Sequence, residues 1–317
     1  MIETPPTPLL GLRMRSSRSC PSTRPAETPD HAERVQVMMK QDSGVYLCRD
    51  YLGRRIPKGD SPETCPPDDI VDAVCREKMC EWSYRVCDHF HTGREFVAIS
   101  FSYLDRFLDK CSCDRTTFKL AAMTTLYMAT KIFNSRQITI CSLAELSRGE
   151  FEMADIAEME NMILQTLEWR MHPPTSQCFI NHIHHLLPCT GQVSSAIYQR
   201  ANFFAELALY DSSLVARERS LITVAALMNA MEGMDNSMIS GEQQLCFLKE
   251  LQDSFGLVYS EDLVETIRNR LWYVYSMSAQ YQEDDIITPQ PLKETPQKEC
   301  MGSDMSSISR SPVCVRH

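Results

Sequence analysis

No proline occurs between Asp68 and His172, although the chain of 317 residues contains 17. Ten lie in residues 1–67, three (Pro173, Pro174 and Pro188) interrupt residues 68–288, and the last four follow Thr288. A proline inside a helix removes a backbone hydrogen bond and clashes with the preceding turn, at a cost of about 3 kcal/mol. So long a proline-free run reads as packed helices. The glycines agree: Gly93, Gly149, Gly191, Gly233, Gly241 and Gly256 fall between apolar runs, as separators.

Within that run, Phe118 to Phe133 (FKLAAMTTLYMATKIF) is apolar or small nearly all the way round. A helix of this composition has no wet face and must be covered on several sides. Ala121, Ala122 and Ala129 let neighbouring helices approach closely. Lys131 comes at its C-terminal end, where a buried helix reaches the surface. Taken alone, it reads as a lysine whose stem packs and whose head reaches water.

Helical stripes flank this stretch. A first helix is expected from Pro66-Pro67-Asp68-Asp69, with Val71, Cys75, Met79, Trp82, Val86 and Phe90 on one face. A second runs from Arg94 to Lys110, with Phe96, Ile99, Tyr103, Leu104, Phe107 and Leu108 inward, and Asp114 caps the central helix. A short helix, Cys141 to Ser147, and a longer one, Phe151 to Trp169, complete the set before Pro173-Pro174. The second half repeats the scheme with helices Thr175–Leu187, Val193–Leu209, Leu214–Met231, Glu242–Phe255 and Ser260–Ala279. Its alanine pair, Ala225-Ala226, lies 104 residues after Ala121-Ala122.

The expectation is an all-α chain of two tandem five-helix bundles, residues 68–172 and 173–280. A mostly disordered region, residues 1–67, precedes them, and a disordered acidic Pro/Ser/Thr-containing tail, residues 281–317, follows. In the first region, the apolar patch from Val45 to Leu52 is expected to dock on the folded part. The cluster Arg13, Arg15, Arg18 and Arg24 reads as solvated basic chain.

The net charge of −10 argues against a non-specific nucleic-acid binder. No apolar run reaches the roughly 20 residues that span a bilayer, and the N-terminus lacks a signal peptide's apolar core. The expectation is a soluble protein of the nucleus, the cytoplasm or both. The 14 cysteines are irregularly spaced and form no Cys-x-x-Cys, so they read as reduced thiols, and no metal or cofactor is expected. His182, His184 and His185 read as a surface cluster. There is no phosphate loop, no His-Glu-x-x-His and no nucleophile constellation, so an enzyme is not expected. In the tail, Thr288, Thr295 and Ser311 each precede a proline and are candidates for proline-directed phosphorylation. Thr295 fits best, because Lys298 follows at the third position.

Two five-helix repeats with a near-solid third helix resemble the cyclin family, and specific residues carry the resemblance. The family's arginine in the first helix, aspartate in the second, leucine and lysine in the third and glutamate in the fifth stand here as Arg76, Asp105, Leu120, Lys131 and Glu160, in matching order and spacing. Longer stretches agree: Arg76-Glu-Lys-Met-Cys-Glu-Trp82, Tyr103-Leu-Asp-Arg-Phe-Leu108, Ala129-Thr-Lys131 and Met159-Glu160. The resemblance is strong over about residues 68–187. Leu167-Glu-Trp169 and the following Pro-Thr-x-x-x-Phe179-Ile180 are similar to D-type cyclins, without a Leu-x-Cys-x-Glu motif.

The resemblance implies a regulatory subunit that binds and activates a cyclin-dependent protein kinase in cell-cycle control. It implies a structural pair between Arg76 and Asp105. It implies that Lys131 and Glu160 contact the kinase backbone, with Ile132, Leu164 and Met171 as apolar candidates in the same groove. It also implies a substrate-docking face at Cys75, Met79 and Trp82, with Phe118 and Lys119 nearby, for which ordinary core packing is the alternative. Lys78 and Arg85 make that rim more basic than in many relatives, so weak docking of basic Arg-x-Leu peptides is expected. Ile132, Phe133, Asn134 and Ser135 follow Lys131 where many cyclins have acidic residues, which leaves open an adaptor that shares the fold without activating a kinase. A transcription factor of the two-repeat type would be basic and would carry a zinc ribbon.

Overall fold

A computed structural model of the chain describes residues 29–52, 71–133, 138–232, 234, 239–257 and 259–278. The described residues form helices and turns only. Helix α1 (Pro29–Asp42) is followed by a first bundle of α2 (Ala73–His89), α3 (Glu95–Lys110), α4 (Arg115–Ile132), α5 (Ile140–Leu146) and α6 (Met153–Thr166). The second bundle holds α7 (Ser176–Ile183), α8 (Gly191–Tyr210), α9 (Arg219–Glu232), α10 (Gly241–Phe255) and α11 (Glu261–Ser276). The tail candidates Thr288, Thr295 and Ser311, and Asn134 and Ser135, lie outside the described residues.

Helix α4 packs against α2, α3, α5 and α6. Ala121, Ala122 and Ala129 are buried at these contacts, as are Met123, Leu126 and Met128. The Asp114 side chain accepts from the Thr117 N–H at 2.7 Å and caps the helix, which stabilises its first turn. Helix α9 plays the same part in the second bundle, with Ala225 and Ala226 buried among α7, α8 and α11.

Four sequence expectations are corrected. Helix α2 is capped by Asp72, whose carboxylate accepts from the Cys75 N–H at 2.8 Å; residues 68–70 are outside the described set. Its deepest residues are Arg76, Cys80, Tyr84 and Cys87, while Cys75, Met79, Trp82 and Phe90 are half-buried. The helix lies between two interfaces, so the stripe marks only one of its covered sides. Helix α6 is shorter than Phe151–Trp169, with Met153 exposed at its start. Helix α9 begins at Arg219, after a 3-10 turn at Ser212–Leu214, instead of at Leu214.

The fourth correction concerns residues 29–52, which fold although residues 1–67 read as mostly disordered. Helix α1 docks on α7, α9 and α10, and Val35 is fully buried in the second bundle's core. Its last residue, Asp42, accepts from the Ser220 N–H at 2.8 Å and so caps α9 from 178 positions away in sequence. The stretch from Val45 to Leu52 then docks on the first bundle, as expected. Cys48 is buried and its thiol donates to the Asp105 carbonyl at 3.2 Å, while the Tyr51 hydroxyl donates to Asp105 Oδ1 at 2.9 Å. These partners are distant in sequence, so no local periodicity announces them.

Asp105 is thereby the meeting point of three segments. Arg76 grips it with two bonds, Nε to Oδ1 at 2.9 Å and Nη2 to Oδ2 at 2.8 Å, with both side chains buried. Burial works against the Arg76 charge, and Asp105 overcomes this, holding the guanidinium above the ordinary arginine range. The other terminal nitrogen of Arg76 donates to the Leu209 carbonyl at the end of α8. Leu209 and Tyr210 are themselves buried in the first bundle's core, where Tyr210 stacks on Tyr84 with ring centroids 5.7 Å apart.

Removing one partner of a buried pair leaves an uncompensated charge. We expect Arg76→Leu or Asp105→Leu alone to lower the unfolding free energy by about 3–5 kcal/mol. The double replacement should lose less than the sum of the singles. Urea denaturation checks this; singles within 1 kcal/mol of wild type would refute it.

A pH dependence follows from Asp42. Burial raises its carboxyl above the usual value, and hydrogen bonds from Ser220 and Arg219 only partly offset this. A raised folded-state value means that the fold favours the protonated acid. Its contribution is present below the usual carboxylate range and shrinks as pH rises through the folded value. Asn keeps the acceptor without the charge. Asp42→Asn should therefore gain thermal stability relative to wild type between about pH 4 and pH 7. Asp42→Ala, which loses the cap, should cost about 1 kcal/mol at pH 7. A constant Asn-to-wild-type difference across that range in thermal melts would contradict the assignment.

Candidate functional site

Helices α4 and α6 lie side by side and run in the same direction. Lys119, near the start of α4, pairs with Glu150 just before α6, and Lys131, at the end of α4, pairs with Glu160. The structure thus brings together the two residues singled out from sequence, which are 29 positions apart. Lys131 Nζ donates to both carboxylate oxygens of Glu160, at 2.8 and 3.0 Å, and sits 5.3 Å from the centroid of the Tyr127 ring. The hydrogen bond to Glu160 is the main reason the lysine holds its proton above the usual range. The Lys131 side chain is 51% exposed and that of Glu160 is 17% exposed, so the pair is open to a partner from one side.

Around the pair, Ile132 and Leu164 are half-buried and available at the surface. Met171 is not: it is 5% exposed and packs in the first bundle's core, and its carbonyl accepts from the Tyr103 hydroxyl. The chain turns inward there to reach α7, which buries the side chain. One aromatic residue not assigned to the groove from sequence, Phe133, flanks it, and a second, Trp169, is exposed past the end of α6. Phe133 is 40% exposed, with its ring between those of Phe96 (6.3 Å) and His172 (5.4 Å). Trp169 is 68% exposed, and Glu168 and Trp169 both take left-handed backbone angles (φ 53° and 60°) that end α6 and turn the indole outward. In the sequence Phe133 and Trp169 are the last residues of expected helices, which is a weak signal for exposure.

The proposed docking face on α2 is mixed. Phe118 is 2% exposed in the core and cannot line a surface; the first turn of α4 points it inward. Met79 and Trp82 pack partly against the cluster of Met123, Leu143, Phe151 and Ile156. Cys75 is half-buried, and Lys119 is tied to Glu150. The basic rim is present, with Lys78 exposed and Arg85 paired to Glu81. Elsewhere, the described cysteines are free thiols, and His184 bonds the Ile180 and Asn181 carbonyls on a helix end. Among the described residues no His, Cys, Asp and Glu group fits a metal ion, and no helix is long and apolar enough to cross a membrane.

Residues 54–172, which include this groove, match the family described as "Cyclin, N-terminal domain". Residues 54–172 thus carry a cyclin box, and the chain is similar to cyclins beyond it. It is 22% identical over 210 residues to the G1/S-specific cyclin-D1 of Mus musculus, covering 63% of this chain and 70% of that one. It is 33% identical over 129 residues to Cyclin-D3-3 of Arabidopsis thaliana, covering 38% and 36%. Its fold is that of a viral cyclin from herpesvirus saimiri, with a TM-score of 0.57 at 16% identity, over 79% of this chain and 99% of that one. The two five-helix bundles are therefore tandem cyclin folds.

Within the cyclin box, the Lys131–Glu160 pair is worth little to stability, because the lysine is half in water. We expect Lys131→Ala and Glu160→Ala each to cost at most about 1 kcal/mol, or about 2–4 °C in Tm for a fold of this size. A loss above about 3 kcal/mol in chemical denaturation would make the pair a structural element of the core kind.

Proposed function

We propose that this chain is the non-catalytic regulatory subunit of a cyclin-dependent protein kinase and binds it through the groove around Lys131 and Glu160. The observation that carries the reading is the geometry of this pair. One donor and one acceptor group stand together, partly exposed, where the last turn of α4 meets the middle of α6 inside the cyclin box. A lysine offers N–H donors and a glutamate offers oxygen acceptors, so together they read both kinds of backbone group on an incoming helix end. Ile132, Leu164 and Phe133 supply apolar surface beside them.

The mechanism is a shift of population. The kinase alone keeps its regulatory helix away from the ATP site, and this chain binds the arrangement in which that helix is in place. Only the difference in affinity between the two arrangements drives activation. This chain supplies rigidity and a shaped surface, and the reacting groups belong to the kinase. Kinase substrates would reach the complex through the altered α2 face. A second reading, an adaptor that uses the fold without activating a kinase, has one observation in its favour: Ile132 and Phe133 follow Lys131 where acidic residues would meet basic groups of a kinase.

Capture from cell extract by wild type and by Lys131→Ala/Glu160→Ala, followed by a kinase assay on histone and retinoblastoma-type substrates, tests the proposal. Kinase activity with wild type and a loss of more than about tenfold with the double mutant is expected. Equal recovery would place the interface elsewhere. Bound kinase without activity would favour the adaptor.

A further inference from the structure

Arg106 follows Asp105 on α3 and, like Arg76, it is buried, at 6% exposure. Unlike Arg76, it has no carboxylate within ion-pairing distance among the described residues. Its Nε donates to the Ser102 carbonyl and its Nη2 to the Arg170 carbonyl, both at 3.0 Å. The rings of Tyr46 and Tyr103 lie 4.8 and 5.8 Å from the guanidinium carbon. Nη1 bonds to no atom among the described residues. Carbonyls and ring faces replace only part of the solvation lost on burial, and burial pulls the group below the ordinary arginine range.

The surroundings add positive charge. Arg49 pairs with Asp109, while Lys110 and Arg170 share the single carboxylate of Glu168. Four cations, Arg49, Arg106, Lys110 and Arg170, thus face two acids on a chain whose net charge is −10. Between Glu168 and Arg170 stands the exposed indole of Trp169. The cover over Arg106 is light: Tyr46 is half-buried and its neighbours Val45 and Leu47 are exposed.

We propose that Arg106 and the turn from Glu168 to Arg170, lightly covered by Tyr46, form a receiving site for an acidic side chain of a protein partner, with Trp169 packing beside it. A carboxylate on Nη1 makes a charge-assisted bond and supplies the counterion that this guanidinium lacks. The site uses α3, the segment after α1 and the α6–α7 turn, and it does not depend on Lys131 or on the identity of the partner.

The test uses the full chain, its tryptophan fluorescence, a short peptide with three consecutive glutamates and the matching glutamine peptide. We expect saturable binding of the glutamate peptide, a signal that Trp169→Phe removes, and an affinity about tenfold or more above that of the glutamine peptide. Arg106→Gln should weaken binding by a similar factor, and Tyr46→Ala, which uncovers the guanidinium, should strengthen it. Equal binding of the two peptides overturns the proposal, as does unchanged affinity in Arg106→Gln. Should Arg106→Gln lose its near-ultraviolet circular dichroism, Tyr46→Ala and Arg170→Ala decide: unchanged affinity in both overturns it. Displacement of the peptide by millimolar inorganic phosphate at least as readily as by glutarate would also overturn it, by making the site a phosphate site.

Discussion

The buried Arg76–Asp105 pair is the interaction on which the rest of the architecture depends. A bidentate arginine–carboxylate contact has fixed geometry, and inside a core it tolerates little displacement. The remaining polar groups around the pair hold two other segments. Arg76 reaches the last turn of α8, Asp105 accepts from Tyr51, and the Asp105 carbonyl accepts from Cys48. One ion pair therefore fixes the second bundle and the N-terminal segment against the first. It also orients α2 and α3, between which α4 must fit. The position of Lys131 at the end of α4 is set by that packing and owes little to its own surface contact.

The two bundles are consequently less separate than their internal repeat suggests. Leu209 and Tyr210 belong by sequence to the second and by burial to the first. Helix α1 belongs by burial to the second, while the residues immediately after it lie on the first. Asp42 starts α9 from outside, so the helix that corresponds to α4 has its first turn stabilised by the N-terminal segment. A charge buried for that purpose is costly unless hydrogen-bonded. Asp42 has such bonds, and still its carboxyl lies above the usual range. Helix initiation in the second bundle is thus tied to the docking of α1.

Much of this was legible in the sequence where the cause is local. Residues Phe118 to Phe133 have no polar face, so a buried central helix follows from composition and from the absence of proline and glycine. Asp114 was legible as its cap for the same reason. Arg76, Asp105, Lys131 and Glu160 were legible through spacing and resemblance, and the structure brings each pair within hydrogen-bond distance. What could not be read depends on partners distant in sequence. Helix α1 is too polar to announce a buried face; it folds because Val35 finds the core of the second bundle. The start of α9 moved because its cap comes from Asp42. Met171 was placed in the groove by resemblance, and the chain's turn toward α7 buries it. Trp169 was read as the last residue of the fifth helix, and two left-handed residues end that helix earlier and turn the indole outward.

Three cations of the first bundle show how compensation separates structural from interacting groups. Arg76 has a full counterion and is buried with it, so no partner could improve its environment. Lys131 also has a carboxylate, but in half-solvated surroundings where the exchange of one acceptor for another costs little. Such a pair can open toward a partner without destabilising the fold. Arg106 is buried nearly as deeply as Arg76 and has only neutral acceptors and ring faces. A group of that kind gains more from an incoming carboxylate than either of the others, because the counterion is the component its site lacks. Burial alone would class Arg106 with Arg76 as structural, and exposure alone would leave Lys131 as the one cation open to a partner. Burial taken together with the identity of the acceptors sets Arg106 apart from Arg76 as a buried charge without a counterion among the described residues.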